Sequence, residues 1–394
     1  MKKQKNFETS VIHDGYDPGD FLGSLNPPLF QTSTYAFDTA EQGENRFAGT
    51  EEGYVYSRMG NPTVSALEEK IAVLENGERG LAFSSGMAAI SSVLIALTKA
   101  NDHIVCSPGL YGATFNLLHT MEEKYNVTHT FSNMSTKADL RKEMTEQTAL
   151  IYVETPINPT LKLIDLQMVA EVAKEYQVPV VVDNTFSSPY LQRPLDLGCD
   201  VVVHSATKYL GGHGDVIAGL AAGKKEWLDL VQQSVLKDMG SVLAPFHAWL
   251  VMRGLKTLPV RLDRHSDNAE YIFGKLKRHP KVKQVYYPND RKRLDYAIFK
   301  KQMKKGGGMI SFEIEGTKAD AQKMLNQLSV IRLAVSLGDV DTLIQHPATM
   351  THASVAPELR EKMGVTDQML RLSVGLESAE DIWKDLKQAL DQIE

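Results

Sequence analysis

The stretch from Asp200 to Gly214 constrains the fold more than any other part of the sequence. It reads Asp-Val-Val-Val-His-Ser-Ala-Thr-Lys-Tyr-Leu-Gly-Gly-His-Gly. A run of valines is typical of a strand that is buried on both faces, as in parallel sheets covered by helices. Hydroxyl groups and a single lysine, Lys208, follow the valines. The sequence therefore predicts an α/β fold with reactive groups at the end of a strand.

Lys208 stands where an amine can take part in chemistry. Partial burial lowers the pKa of an ammonium group, and the resulting neutral amine can bond covalently to an aldehyde. Ser205 and Thr207 add hydroxyls that could hold a phosphate, and the glycines that follow let the backbone approach a ligand. Considered alone, Lys208 is also explained as a solvated lysine after a strand.

The composition is that of a globular protein that works on small molecules. The 394 residues exceed one ordinary core, so two domains and an arm are expected. A net charge of −6 gives no reason to expect nucleic acid or an anionic membrane as a partner. The sequence contains no apolar run of membrane-spanning length, and its first ten residues lead us to expect no secretory signal. Cys106 and Cys199 lie beside apolar runs, so we expect reduced, buried thiols and a cytoplasmic location.

The order of patterns along the chain predicts three regions. Residues 1–60 contain scattered glycines and prolines and are expected to form an irregular N-terminal arm. Residues 61–255 alternate apolar runs with amphipathic segments, which is the pattern of an α/β domain. Residues 256–394 include an alternating segment at 306–314 and amphipathic helices, which predicts a C-terminal α+β domain.

Two segments carry groups suited to an anion. A run of small residues ending in Gly86 and Met87 opens a predicted helix, where unpaired N–H groups and the helix dipole attract a phosphate. Simple capping of that helix explains the same residues. Tyr56 and Arg58 offer a hydroxyl and a planar guanidinium, although an exposed loop would contain such residues too.

Three polar residues follow other strand-like runs. Tyr111, in a turn next to glycine, can stack on a flat ring while its hydroxyl handles a proton. Asn158 lies between two prolines and could orient a ring oxygen or a carboxylate. Asp183 ends an apolar strand, where a carboxylate is costly unless a cation such as a pyridinium nitrogen meets it. A packed tyrosine, a turn-forming asparagine and a capping aspartate are the structural alternatives.

Arg371 lies in the middle of an apolar run at 370–374. We expect no acidic neighbour on the same face of this strand. A substrate carboxylate that accepts two hydrogen bonds would satisfy the guanidinium. A partly exposed strand arginine is the alternative interpretation.

The run Ser-x-Thr-Lys-x-x-Gly-x-His-Gly at 205–214 resembles the lysine signature of the pyridoxal-phosphate (PLP) enzymes of cysteine and methionine metabolism, the transsulfuration family. The similarity extends from the arm to Arg-Leu-Ser-Val-Gly-Leu-Glu at 371–377 and covers nearly the whole chain. It implies an α/β fold of the PLP-dependent transferase type I (aspartate aminotransferase-like). Such a fold has a mostly parallel central sheet, an N-terminal arm and a smaller α+β C-terminal domain.

The resemblance also implies roles for the residues picked out above. Lys208 would bind the cofactor aldehyde, Asp183 its ring nitrogen and Tyr111 its ring face, and Lys208 and Tyr111 would move protons. The groups that would hold the phosphate are Gly86, Met87, Ser205 and Thr207, with Tyr56 and Arg58 from a neighbouring subunit. The groups that would hold the substrate carboxylate are Arg371, Ser336 and Asn158. The same resemblance implies a homotetramer built as a dimer of dimers, and no metal.

Within the family, the sequence is most similar to the methionine γ-lyases. The similarity rests on Leu-Lys-Asp-Met at 236–239 and on the segments 333–339 and 345–352. Val335 stands where cystathionine γ-lyases tend to carry a glutamate, and an apolar residue there suits a thioether. Ala113 stands where many methionine γ-lyases have a cysteine.

The activity implied by this resemblance is α,γ-elimination of L-methionine to methanethiol, 2-oxobutanoate and ammonia, with homocysteine as a further substrate. Cystathionine γ-lyase, homocysteine desulfhydrase and O-acylhomoserine sulfhydrylase would share every cofactor residue and are the alternatives among enzymes. A PLP-binding regulatory protein without turnover is the alternative outside enzymes. The expected partner is therefore a small sulfur amino acid.

Overall fold

A seven-stranded sheet forms the centre of the larger part of the molecule. The computed structural model describes residues 5–351, 353, 360 and 364–393, so His352 of the segment 345–352 lies outside the described residues. The strands of this sheet are β1 Arg79–Phe83, β2 His103–Cys106, β3 Thr128–Phe131, β4 Thr148–Glu154, β5 Val180–Asp183, β6 Val201–Ser205 and β7 Gly219–Gly223. Their order is β1-β7-β6-β5-β4-β2-β3.

The sheet is mostly parallel, as predicted. Strands β3, β2, β4, β5 and β6 run parallel to one another, whereas β7 is antiparallel to both β1 and β6. Parallel neighbours place their carboxyl ends at one edge of the sheet. Register pairs Glu154 with Asp183, the last residues of β4 and β5.

Helices cover both faces of this sheet. Those in the first 255 residues are α1 Phe7–His13, α2 Ala40–Ala48, α3 Pro62–Glu75, α4 Gly86–Ala96, α5 Gly112–Tyr125, α6 Lys137–Glu143, α7 Leu166–Tyr176, α8 Ser188–Leu191, α9 Lys225–Val231, α10 Lys237–Met239 and α11 Pro245–Leu255. A π-helical segment, Gln232–Leu236, joins α9 to α10.

Because side chains alternate along a strand, the central strands contribute residues to two hydrophobic clusters, one on each face of the sheet. Tyr152, Val181 and Val203 face a cluster that includes residues of α4 and α5. Val153 and Val182 face the opposite cluster, which includes residues of α7. Because both faces are covered, these strands are mostly apolar, and their acidic residues, Glu154 and Asp183, stand at the carboxyl ends.

A smaller sheet lies in the last third of the chain. Its strands are β8 Val282–Tyr286, β9 Met309–Ile314, β10 Arg332–Leu333, β11 Leu343–Gln345 and β12 Met369–Ser373, in the order β10-β11-β12-β9-β8. Only the β10–β11 pair is parallel. The helices of this part are α12 Leu258–Leu276, α13 Tyr296–Gln302, α14 Lys318–Asn326 and α15 Ala379–Leu390. The mixed composition agrees with the predicted smaller α+β unit.

The N-terminal region is more regular than its glycine and proline spacing indicates. It contains α1, α2 and a short 3₁₀ turn at Pro18–Phe21. Val11 of α1 is buried, and Lys70 of α3 donates a hydrogen bond to its carbonyl oxygen at 3.0 Å. A seven-residue helix is too short to show an amphipathic period in the sequence, which is why the pattern missed it.

None of the helices within the described ranges has the length and apolar character needed to span a membrane.

Candidate active site

The carboxyl ends of β4, β5 and β6 meet at a cavity of about 300 Å³. Strand ends of parallel sheets are the usual place for ligands, because the loops that follow them lie at one edge. The predicted site residues that line this cavity are Gly86, Met87, Tyr111, Asn158, Asp183, Ser205, Thr207, Lys208, Val335, Ser336 and Arg371. The lining residues between 183 and 208 therefore come from the part with the large sheet. Those between 335 and 371 come from the part with the smaller sheet.

Asp183 is a buried carboxyl at the end of β5, with 8% of its surface exposed. Its Oδ1 accepts the Thr185 N–H at 3.0 Å. Burial raises its pKa above the ordinary value, and the hydrogen bonds from Thr185 only partly oppose this. No basic side chain of the described residues forms an ion pair with Asp183, so a cationic ring nitrogen would supply the missing partner.

Lys208 lies on the turn that follows β6 and reaches across to the other half of the molecule. Its Nζ donates a hydrogen bond to Ser336 Oγ at 2.6 Å. Burial, assisted by the charge of Arg371, lowers the pKa of Lys208 to about 8. A substantial fraction of this amine is therefore neutral near physiological pH, which is the form that acts as a nucleophile or a base.

Arg371 of β12 is 4% exposed, and one of its three guanidinium nitrogens has no hydrogen-bond partner among the described residues. Nη1 donates to Asn158 Oδ1 and Nη2 donates to the Ser336 carbonyl, each at 2.9 Å. Nε is buried and has no hydrogen-bond partner among the described residues. Since an unpaired buried donor is costly, a carboxylate bound here would gain a charge-assisted hydrogen bond.

Ser336 connects Lys208 to Arg371, because its hydroxyl accepts from one and its carbonyl from the other. Its φ of 97° lies in the left-handed region, which residues other than glycine rarely adopt. Strain of this kind persists where the surrounding contacts fix the backbone, commonly at binding sites.

Tyr111 precedes α5 and leaves much of its ring open to the cavity. Its side chain is exposed in the isolated chain, and its backbone N–H donates to Glu154 Oε2 at 2.8 Å. The position of the ring is thus tied to the end of β4. A hydroxyl on an accessible ring beside Lys208 can both stack on a flat ligand and deliver a proton.

Glu154 is a site residue that the sequence interpretation missed. It lines the cavity, is buried, and lies beside Asp183 in the sheet. Burial, followed by the charge of Asp183, raises the pKa of Glu154 to about 8. Its carboxyl also interacts electrostatically with Arg371, but it does so from the other sheet and not from the face of the strand that carries Arg371. The signal was available, since Glu154 ends an apolar strand just as Asp183 does.

The N-terminus of α4 forms the side of the cavity next to β6. Ser85 caps the helix by accepting the Ala88 N–H at 3.0 Å. A Cβ on Gly86 would lie 2.6 Å from the Ser205 Cβ, so the first turn of α4 packs directly against the end of β6. The first amides of a helix have no partner within it, which makes this end suited to a phosphate. Thr207 Oγ1 is also hydrogen bonded to the Ala218 backbone.

Tyr56 and Arg58 do not line this cavity. Both are exposed, and the Arg58 guanidinium lies 5.6 Å from the centre of the Tyr56 ring. Arg58 Nη1 also donates to the Lys237 carbonyl. Within one chain these two residues are therefore separate from the group around Lys208.

The donor set of the cavity fits PLP. An amine of lowered pKa, a buried carboxyl without a basic partner, a helix N-terminus and an accessible aromatic ring match its aldehyde, ring nitrogen, phosphate and ring face. The unpaired Nε of Arg371 remains for a substrate group. The other wall is apolar and includes Phe186, Ile217 and Val335.

Comparison with known proteins identifies the family. Residues 8–391 match the model of the Cys/Met metabolism PLP-dependent enzymes. The chain is 50% identical to an L-methionine gamma-lyase of Fusobacterium nucleatum subsp. nucleatum over 99% of each chain. It is 47% identical to an L-methionine gamma-lyase of Treponema denticola, over 98% of this chain and 97% of that one. It is 44% identical to a cystathionine beta-lyase of Lactococcus lactis subsp. cremoris, over 98% and 99%.

A solved structure gives the same result. The cystathionine gamma-lyase from Lactobacillus plantarum complexed with L-serine superposes with a TM-score of 0.93 at 40% identity, over 99% of each chain. The predicted family, the type I fold and the dependence on PLP are confirmed. The chain belongs to the family of Cys/Met metabolism PLP-dependent enzymes.

Proposed function

We propose that this protein is an L-methionine γ-lyase. It would break the Cγ–S bond of L-methionine and, with one water, yield methanethiol, 2-oxobutanoate and ammonium. The observation that carries the proposal is the placement of Lys208, the unpaired Nε of Arg371 and the apolar Val335 around one cavity. Relatives described as L-methionine gamma-lyases at 46–50% identity over nearly the full length support it.

The cofactor would be held by the residues that the fit to PLP identified. When bound, PLP acts as an electron sink that stabilises negative charge developing on the carbons of the substrate. Its contacts would come from Lys208, Asp183, Tyr111, Gly86, Met87, Ser205 and Thr207. A buried Asp183 beside the ring nitrogen would keep that nitrogen protonated.

Arg371 would bind and orient the substrate. Its guanidinium lines the cavity and would donate to the α-carboxylate, while Asn158 and the Ser336 carbonyl fix the plane of the guanidinium. A fixed carboxylate places the Cα proton near Lys208, because Ser336 holds the lysine amine and the arginine together. Positioning of this kind lowers the entropic part of the barrier.

Lys208 and Tyr111 would move the protons. The neutral amine of Lys208 would accept the proton from Cα, release that proton to the bound ligand, and, neutral again, accept one from Cβ. Cleavage of the Cγ–S bond leaves the electron pair on sulfur, and the Tyr111 hydroxyl gives the departing thiolate its proton. Both side chains line the same cavity, which supports a shared role in proton transfer.

Val335 would select the side chain of the substrate. It lies on the apolar wall with Phe186 and Ile217, and this wall suits a methyl thioether. The acids among the described residues that line the cavity are Glu154 and Asp183, and both are buried at strand ends. Asp215 and Asp339 line an adjoining cavity that Val335 also borders. Within the cavity around Lys208 itself, a second ammonium group, as in cystathionine, would meet an apolar side chain at position 335.

We also propose a homotetramer built as a dimer of dimers and located in the cytoplasm. Tyr56 and Arg58 are exposed and outside their own cavity, which suits a role in the site of a neighbouring subunit. Cys106 and Cys199 are buried, free thiols, as suits a reducing compartment.

The test is a comparison of kcat/KM for methionine, homocysteine, cystathionine and O-acetylhomoserine, with product analysis. We expect methanethiol and 2-oxobutanoate in equal amounts from methionine, and a lower kcat/KM for cystathionine. In the variant Val335→Glu, the ratio should move towards cystathionine. Lys208→Ala is the control and should abolish turnover. A wild-type preference for cystathionine or O-acetylhomoserine, or turnover by Lys208→Ala, would contradict the proposal.

A further inference from the structure

A cluster of metal-ligand side chains lies outside the active site, between α5 and β3. His119 and Glu122 are three residues apart on α5 and therefore share one side of the helix. His129 lies in the middle of β3, the edge strand of the large sheet. One ligand atom from each of the three residues lies within 4.8 Å of the other two.

His129 is the buried member of this cluster. Its side chain is 5% exposed, and its Nδ1 lies 3.1 Å from Glu122 Oε2. The two make no hydrogen bond, and Nδ1 is a buried nitrogen without a hydrogen-bond partner among the described residues. A buried polar atom left in this way is costly, so a ligand that binds the nitrogen would remove the cost.

Phenylalanine rings pack against both imidazoles. The His119 ring packs edge to face on Phe115 at 4.5 Å, and the His129 ring does the same on Phe131 at 5.4 Å. Phe115 and Phe131 stack on each other at 5.8 Å, so the helix and the strand are joined beneath the imidazoles. The two imidazoles are 5.0 Å apart and tilted by 69°. The two imidazoles therefore already lie near each other before any ligand arrives.

Two imidazoles and one carboxylate are a ligand set of the zinc type. Three protein ligands with one open position for water are common at zinc sites, whereas Mg²⁺ and Ca²⁺ prefer oxygen ligands alone. Zn–N bonds of roughly 2.1 Å require ligand atoms about 3.4 Å apart, so the cluster must contract. His119 and Glu122 are exposed and can rotate towards His129, which stays fixed.

We propose that His119, Glu122 and His129 form a binding site for a divalent cation of the zinc class. One cation per chain would bind there and link α5 to β3. None of the three residues lines the cavity around Lys208, so the proposal is independent of the proposed function.

The experiment is titration of the complete, cofactor-loaded protein with ZnCl₂, followed by calorimetry and by the melting temperature, with MgCl₂ in parallel. His119→Ala and Glu122→Gln change exposed residues and should leave the fold intact, whereas His129 is buried and is left in place. His13→Ala is the matched control, because it removes an exposed histidine on α1. Co²⁺ as a second probe reports the ligand geometry through its visible spectrum.

We expect one Zn²⁺ per chain, a rise in melting temperature with Zn²⁺, and no response to Mg²⁺. Each of His119→Ala and Glu122→Gln should weaken Zn²⁺ binding by about 10-fold or more, and His13→Ala should leave it unchanged. The proposal is overturned if the wild type binds no Zn²⁺ at this stoichiometry. Equal affinities in the wild type and the two cluster variants would overturn it as well.

Discussion

At the scale of single residues, the carboxyl groups of Glu154 and Asp183 shape the electrostatics of the active site. They end adjacent strands in register and are both buried. Two acids in such a place do not both ionise easily, because each charge disfavours the other. Burial raises the pKa of both carboxyls, to about 8 for Glu154, and hydrogen bonds from Thr185 oppose the rise at Asp183. We infer that the Glu154 carboxyl is protonated and that the Asp183 carboxylate carries the negative charge.

The variant Glu154→Gln tests whether Glu154 is the protonated carboxyl, and the measured quantity is the stability of the cofactor-free protein. The folded-state pKa of about 8 exceeds the ordinary 4.5, so the folded chain keeps a proton that the unfolded chain releases. Stability from this group is therefore lost as the pH rises from about 4.5 to about 8. Glutamine does not titrate but can still accept the Tyr111 N–H. We expect the melting temperature of the variant to fall less over this window than that of the wild type.

Melting curves of the cofactor-free protein at both ends of that pH window provide the measurement. Glu123→Gln, an exposed position on α5, is the control and should follow the wild type. An equal fall in the wild type and Glu154→Gln would show that Glu154 is not protonated in the folded state.

Several residues of the site could be predicted from the sequence because of their chemical character. Lys208, Asp183 and Arg371 are each polar groups in or after apolar strands, and burial of such groups demands a partner. Glu154 carries the same signal but was not singled out. Its importance depends on the register between β4 and β5, which a single sequence does not contain.

At the scale of elements, the contact between α4 and β6 sets the geometry of the predicted phosphate end. Gly86→Ala would place a Cβ 2.6 Å from the Ser205 Cβ and 2.8 Å from its Cα, so the start of α4 must move. We expect a loss of about 1–3 kcal/mol in stability and weaker PLP binding. The measurement is a spectroscopic titration of the cofactor-free protein with PLP, together with the melting temperature.

Gly274→Ala is the matched control for this substitution. Gly274 lies in α12, and an added Cβ there would have no neighbour within 4 Å. Helix propensity alone predicts a gain of up to about 1 kcal/mol and no change in PLP affinity. If Gly86→Ala binds PLP as tightly as Gly274→Ala does, the first turn of α4 is not part of the phosphate site.

The segment 331–335, whose sequence is compatible with a strand or a loop, shows the limit of local patterns. Only Arg332–Leu333 is in the sheet as β10, because the chain then turns away to bring Ser336 to Lys208. This turn needs a serine at a φ of 97°, and serine gives no signal for that conformation. The apolar runs of β4, β5 and β6 were predictable because burial on two faces dictates them.

At the scale of the whole molecule, one chain supplies only part of the proposed phosphate site. Tyr56 and Arg58 lie outside their own cavity and are exposed. If they serve a neighbouring subunit, chains of Arg58→Ala and Lys208→Ala should complement each other when mixed and reassembled. A hybrid dimer has one site with both wild-type residues, so we expect roughly a quarter of wild-type activity from equal amounts.

The measurement is methanethiol release after the two variants are unfolded and refolded together, compared with each refolded alone. Arg58→Ala alone should retain little activity, and Lys208→Ala alone should have none. If the mixture has no more than half the activity of Arg58→Ala alone, Arg58 acts within its own chain and the shared site is wrong.

The hydrogen bonds from Lys208 to Ser336 and from Arg371 to Asn158 cross from one sheet to the other at the place where a substrate would lie. A decarboxylated thioether amine has the same sulfur and nitrogen as methionine, but it has no carboxylate for Arg371 to bind. Such an amine would leave the junction between the two halves as it is in the empty protein. The enzyme should therefore discriminate amino acids from biogenic amines through the hydrogen-bonded residues between its two sheets, and not through the pocket for the thioether.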